Sequence, residues 1–248
     1  MTRSDSTRLD QQLARLKTST TQIGSLVSEQ FGRALLGAEH GSTKLAYSVI
    51  AQHYLIDELA RAVDDQAMQI IADRRATGSE LREVMLAIQV SSKLKYVGHL
   101  ARGIARRTHN APLAIAPGPM KGVRRLGAIA LGQLNSAVNA YAGYDGEEAA
   151  EVWRGQEHLQ ATYPAVTREL LASSMADPRM VGVSARLICI ADDIERIGEI
   201  CLNSAESIYR FVYGRPLAED GARGELSHLR SIRLDGARES SQETARKP

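Results

Sequence analysis

Apolar residues recur along most of this chain at steps of three and four, the period of a helix buried along one face. The first run, Leu9, Leu13, Leu16, Ile23, Val27 and Ala34, keeps a seven-residue repeat that Thr20 and Gln30 interrupt, with Gly37 near its end. A second run, Ala46, Val49, His53, Ile56, Ala60, Val63, Ala67 and Ile70, follows Ser42, a residue suited to cap a helix start, and ends near Arg75. Thr77, Gly78 and Ser79 read as a turn and cap, after which Leu81, Val84, Ile88, Leu94, Val97, Ala101 and Ile104 mark a third helix to about Arg107. Three long helices joined by short turns pack as an antiparallel bundle.

Pro112, Pro117 and Pro119 then fall close together, and proline has no N–H to give a helix interior. They divide the chain into a first repeat (8–107), a linker (108–121), a second repeat (122–214) and a tail (215–248). In the second repeat Val123, Leu126, Ile129, Ala130, Leu134, Val138 and Tyr141 mark a fourth helix, which the glycines at 143 and 146 break at an Asp145 cap. Val152, Leu159, Tyr163, Val166 and Leu170 mark a fifth, in which Pro164 is expected to kink the helix or interrupt its bonding around Gln160. Asp177-Pro178 is a cap followed by proline at the first helical position. The sixth helix carries Leu187, Ile190, Ile194, Ile197, Cys201, Ser204, Ile208 and Phe211 until Gly214 and Pro216 stop it. The tail mixes charges of both signs with few apolar residues and is expected to be largely disordered.

Helices three and six overlay at an offset of 100 residues, placing Val90, Leu94, Val97, Gly98, Ala101 and Ala105 on Ile190, Ile194, Ile197, Gly198, Cys201 and Ala205. A mid-helix glycine costs about 1 kcal/mol relative to alanine, so Gly98 and Gly198 predict close helix contacts that offset the cost. The predicted fold is all-α: two tandem, pseudo-symmetric three-helix bundles built from long, spectrin-repeat-like helices.

Aromatic residues make up only 4% of the chain, which favours helices over strands. A net charge of +2 excludes a dedicated polybasic nucleic-acid binder, and Arg106, Arg107, Lys121, Arg124 and Arg125 read as a solvated joint around the linker. No apolar stretch approaches the ~18 residues of a membrane span, and the first residues lack a signal-peptide pattern, so a cytoplasmic location is expected. Cys189 and Cys201 are expected to be small core residues in a reducing compartment. There is no phosphate-cradling loop or nucleophile motif, and a ferritin-like metalloenzyme would need two Glu-x-x-His pairs, whereas Glu225 and His228 in the tail form one. The chain is therefore read as non-enzymatic, and its long charged helical faces fit a generic helical scaffold.

On helix six, Asp192, Glu195, Glu199 and Glu206 fall on one stripe, with Asn203 beside it. Like charges one turn apart repel unless a cation or a basic partner lies across them. The matching positions of helix three are Ser92, Lys95, His99, Gly103 and Arg106, so the same stripe is basic there. The acidic stripe is expected to serve a cation or partner, and the basic one an anion or an acidic surface.

The segments SELREVMLAIQVSSKLKYVGHLARGIARR and DDIERIGEICLNSAESIYRFVYG together resemble the PhoU family of phosphate-signalling regulators, over about residues 8–214. The most specific part is Glu195-Arg196-Ile197-Gly198-Glu199, followed by Asn203 and Glu206. The resemblance implies a cytoplasmic dimer that restrains a phosphate-specific ABC importer, through its ATPase, and a phosphate sensor histidine kinase. Contact with the membrane would come only through those partners, and no nucleic acid is implied. It also implies iron, manganese, zinc or magnesium held by acids on helices two, three, five and six. Glu195 and Glu199 match the helix-six positions, Asp192 shares their stripe, and Asp57 is the acid kept on helix two. Lys95 and His99 replace the helix-three acids, which disfavours a carboxylate cluster in the first repeat, while His53, Asp57 and His99 offer an alternative transition-metal set. On helix five the acids are replaced by Gln156 and Gln160, with Glu157 a displaced substitute.

Overall fold

A computed structural model describes residues 3–73, 77–110 and 117–217, and the expectations for residues 218–248 and for Pro112 lie outside them. Six long helices run in order: α1 (Arg3–His40), α2 (Thr43–Ala72), α3 (Ser79–Asn110), α4 (Pro117–Gly143), α5 (Gly146–Ala176) and α6 (Val181–Tyr213). No strand occurs among the described residues. Helices α1, α2 and α3 pack on one another, as do α4, α5 and α6, and the two bundles meet along α1 with α4 and α3 with α6.

The local signals explain the helix ends. Ser42 Oγ accepts from the Leu45 N–H at 3.3 Å, and Asp145 Oδ1 accepts from the N–H groups of Glu147 and Glu148 at 2.9 and 3.1 Å. Asp177 caps a short 3₁₀ turn, Pro178–Met180, that leads into α6, so the proline opens that turn and not the α-helix itself. Gly214, at φ 71°, ends α6 in the left-handed region. One sequence expectation needs correction. Helix α4 begins at Pro117, so Pro117 and Pro119 lie in its first turn, where a missing N–H costs nothing. Helix α5 continues through Pro164, whose missing N–H leaves the Gln160 carbonyl without its intrahelical partner, as expected.

The predicted stripes form the core, with Ile23, Val49, Ile56, Ile104, Leu126, Leu159, Ile190 and Ile197 all fully buried. The polar interruptions of the stripe in α1 each make one hydrogen bond, Thr20 within the helix and Gln30 across to α2. The Thr20 hydroxyl donates to the Leu16 carbonyl, and Gln30 Nε2 donates to the Gln52 carbonyl at 3.2 Å. Cys201 is buried and its thiol pushed up to about 12 by burial, but Cys189 is exposed because it lies off the Leu187–Ile190–Ile194 stripe.

Reciprocal contacts reveal an internal two-fold. A Cβ placed on Gly24 would lie 2.7 Å from Val138, and one placed on Gly127 would lie 2.8 Å from Leu35; residues 24 and 127, like 35 and 138, are 103 positions apart. On the other seam Lys93 Nζ donates to the Asn203 carbonyl (2.6 Å) and Ser207 Oγ (2.8 Å), while Asp193 pairs with Arg107 and faces Gly103. Lys93 and Asp193, Gly103 and Asn203, and Arg107 and Ser207 are each 100 positions apart. The turns match too: Gly41 (φ 61°) precedes the Ser42 cap, and Tyr144 (φ 51°) precedes the Asp145 cap.

Within each bundle the mid-helix glycines sit where predicted. A Cβ on Gly98 would meet Ile56 Cδ1 at 2.8 Å, and one on Gly198 would overlap Leu159 and approach Gln133 Oε1 at 3.0 Å. Gly198→Ala should therefore destabilise the fold by about 1–3 kcal/mol in urea unfolding. Gly132→Ala, where nothing lies within 4 Å, should stabilise it by up to about 1 kcal/mol in the same assay.

Candidate functional site

Each bundle brings its second and third helices together at the glycine, and the residues flanking that approach form the site. In the first bundle these are His53 and Asp57 on α2 with Lys95, His99 and Arg102 on α3. His53 is only 1% exposed, because it takes a position on the apolar stripe of α2. Its Nε2 lies 3.1 Å from His99 Nδ1 and 3.7 Å from Asp57 Oδ2. The two rings are tilted at 53° with centroids 4.6 Å apart. Arg102 approaches His99 Nδ1 at 3.4 Å, and Lys95 Nζ lies 3.3 Å from Asp57 Oδ1.

Electrostatics follow from this crowding. Burial, reinforced by Arg102, His99 and Lys95 and opposed by Asp57, lowers His53 to about 4, so its ring is neutral at neutral pH. Burial works against the Asp57 carboxylate, but Lys95, His53 and His99 together hold its pKa below the ordinary range. Among the described residues, His53, Asp57 and His99 are the group of three whose ligand atoms all lie within 4.8 Å of one another.

The second bundle fills the equivalent positions differently. Gln156 takes the place of His53 and accepts a 3.2 Å hydrogen bond from Gln133 Nε2 on α4. On α6, Asp192 accepts from the Tyr163 hydroxyl at 2.6 Å, which holds the phenol above its usual range. Glu195 is half-buried and Glu199 exposed, and burial together with the Glu199 charge raises the Glu195 carboxyl. No carboxylate of α5 faces this pair at the equivalent positions: Gln160 stands where the first bundle has Asp57, and Glu157 is exposed. Asp57 groups with the two histidines of its own bundle and not with the α6 acids.

The expected basic ridge on α3 is not a free surface. Lys95 and His99 turn onto α2, where Asp57 and His53 engage them, and Arg106 alone of that stripe's cations is exposed. Of the joint cluster, Arg107 pairs with Asp193 and Arg124 with Glu39 at 3.0 Å. The sequence reading gives no site role to Lys93, Asp193, Gln133 or Tyr163, whose partners lie on other helices, nor to Arg102, whose approach to His99 along α3 no local pattern marks.

His53 gives the site a pH signature. Between pH 6.5 and about 4 the unfolded chain takes up a proton on His53 that the folded chain, with Arg102, Lys95 and His99 around the ring and Asp57 opposing them, does not. Stability is therefore lost as pH falls through that window. His53→Gln, which installs the side chain the second bundle uses, should remove this component. The stability difference between the two proteins should shift by roughly 3 kcal/mol between pH 7 and pH 4 in denaturant titrations.

Comparison with known proteins covers most of the chain. A family model described as the PhoU domain matches twice, over residues 20–108 and 123–208. The phosphate-specific transport system accessory protein PhoU homolog of Rhizobium meliloti is 30% identical over 206 residues, 83% of this chain and 87% of that protein. The accessory protein PhoU of Escherichia coli is 28% identical over 225 residues, 88% of this chain and 90% of its own. Among solved structures, PhoU from Pseudomonas aeruginosa has a TM-score of 0.80 at 25% identity, covering 83% of this chain and 99% of that one. The phosphate transport system regulatory protein PhoU from Streptococcus pneumoniae, 22% identical and with a TM-score of 0.74 over 84% of this chain and 98% of its own, shares the fold. With both repeats matched and the duplicated bundles in place, this chain belongs to the PhoU family.

Proposed function

We propose that this chain is a cytoplasmic regulator of phosphate homeostasis that acts by protein contact. It binds the ATPase of a phosphate-specific ABC importer and a phosphate sensor histidine kinase, and restrains both when phosphate is plentiful. The observation that carries this reading is the family match in both repeats, together with relatives named for the phosphate-specific transport system across most of their length. A PhoU protein is a regulatory accessory and not an enzyme. It works here as a homodimer, reaches the membrane only through its partners, and has no nucleic-acid partner. No described helix is long and apolar enough to cross a membrane.

Contact requires an unpartnered surface, and α2 supplies one. Tyr47, Tyr54 and Met68 stand on its outer side at multiples of seven residues, each about three-fifths exposed. Arg61 takes the intervening position, so this face offers two tyrosines and a methionine beside a cation, a composition suited to protein contact. Affinity capture from cells grown in high and low phosphate should recover the importer ATPase and the kinase, more strongly in high phosphate. Tyr54→Glu should reduce recovery by about tenfold or more with the melting temperature unchanged. Capture independent of phosphate, or of neither partner, would leave only a generic scaffold.

The α6 acids constitute a second, smaller element of this reading. Glu195 and Glu199, with Asp192 on the same stripe, would hold one hard cation. Carboxylates from α6 alone, with no opposing acid, suit a water-rich ion such as magnesium or manganese, and do not close the shell of a zinc or polynuclear iron site. A Glu195→Ala, Glu199→Ala double variant should lose magnesium or manganese retained by the parent in elemental analysis; equal content in both would dismiss the site.

A further inference from the structure

The seam between α1 and α4 holds, at one end, a cavity that the regulator reading does not use. It measures about 270 Å3 and is lined by Leu35, Leu36, Met120, Val123 and Leu131, with Arg124 and Glu39 as the polar groups of its wall. Leu36 is 48% exposed, so a large apolar side chain is left facing water there. Water in such a space finds few hydrogen-bond partners, and an apolar group that displaces it gains affinity.

Helix packing does not demand this lining. The internal two-fold that relates residue 24 to 127 and 35 to 138 makes the opposite end of the same seam a comparison. There the counterparts of Leu36, Met120, Ala128 and Leu131 are Asn139, Lys17, Ser25 and Ser28, each 103 positions away. The space at that end is bounded by Lys17, Thr18, Thr21, Gln22 and Ser25. One docking geometry thus carries an apolar cavity at one end and a hydroxyl-lined one at the other, so the apolar character belongs to the side chains chosen here and not to the docking.

The mouth selects a head group. Arg124 pairs with Glu39 at 3.0 Å, but its side chain is 60% exposed, and a pair so open to solvent contributes little and exchanges readily. Their counterparts are Thr21 and Ala142, so the pair too is particular to this end. Lys121, one turn before Arg124, is also exposed, and both lie in the first two turns of α4, near the positive end of that helix. Two cations against one acid favour an added carboxylate, which an arginine binds through two parallel hydrogen bonds. The cavity is nearly twice the roughly 150 Å3 space that accepts benzene, which sets the apolar body at about ten carbons.

We propose that the α1–α4 cavity binds a single-tailed aliphatic carboxylate of about eight to ten carbons, its tail between Leu35, Leu36, Met120 and Leu131 and its carboxylate on Arg124 in place of Glu39. This site is separate from the α6 acids and from the outer face of α2, and it is independent of the regulator reading, which stands or falls on partner capture.

The test is calorimetric titration of the full-length protein with hexanoate, octanoate, decanoate and dodecanoate, each below its micelle-forming concentration. Binding should saturate at about one equivalent and tighten by about fourfold per methylene until the cavity is full near ten carbons, where the gain should stop. Octanoate should bind about tenfold more tightly than octanol, and Arg124→Gln should abolish that preference. Leu36→Asn, which installs the counterpart's side chain at an exposed position, should weaken decanoate binding by about tenfold with the melting temperature unchanged. No binding of decanoate, an affinity that climbs through dodecanoate without levelling, equal binding of octanol and octanoate, or undiminished binding by Leu36→Asn would each overturn the proposal. Cosedimentation with phosphatidylglycerol vesicles in place of saturable decanoate binding would overturn it too, and would assign the cavity to a membrane surface.

Discussion

Two pairs of glycines set how closely the helices of this chain approach, and the rest of the architecture depends on that distance. At Gly24 and Gly127 the helices α1 and α4 lie near enough that a methyl group on either would press into a side chain of the other. Gly98 and Gly198 do the same inside each bundle, against Ile56 and Leu159. Only with the bundles this close do the side chains of α3 and α6 span the second seam, where Arg107 meets Asp193 and Lys93 meets Asn203 and Ser207. The reciprocal pairing of equivalent residues is what a duplicated unit docked on itself about a two-fold axis must produce.

Within that shared frame the two copies have exchanged their chemistry. The same helix positions carry His53, Asp57, Lys95 and His99 in one bundle and Gln156, Gln160, Glu195 and Glu199 in the other. Burial is common to both, but its consequence depends on the group. An amide pair satisfies itself, as Gln133 and Gln156 do, whereas an imidazole loses its proton and is left as a neutral donor atom. Carboxylates at the edge of the bundle repel each other and attract a counter-charge. One scaffold thus presents a nitrogen-rich, cation-guarded pocket on one side and an oxygen-rich face on the other.

Most of the fold was legible in the sequence because it depends on period and punctuation. Six stripes at steps of three and four, the caps Ser42 and Asp145, and the stop at Gly214 are local signals, and the helices obey them. The prolines at 117 and 119 were misread because proline breaks a helix interior but suits a first turn, and composition alone does not distinguish the two. At the site, His53, Asp57 and His99 were readable as a set because turns of adjacent helices bring such positions together. The direction of Lys95 was not. Whether an ammonium faces solvent or a neighbouring carboxylate is decided by a helix 38 residues away in sequence, and Lys93 on the opposite side of α3 is fixed by one 110 residues away.

The turn between α4 and α5 departs from its twin. Where the first repeat has Gly41, the second has Tyr144 in the same left-handed conformation, which a side chain adopts only at a cost of about 1 kcal/mol or more. Its hydroxyl donates to Glu83 at 2.5 Å, its ring lies 3.9 Å under the Lys17 ammonium, and Phe211 packs beside it. Two of those three neighbours belong to the other repeat. Severed from residues 17 and 83, the later half would keep the strained corner and forfeit what compensates for it, so the turn of the second bundle draws part of its stability from the first.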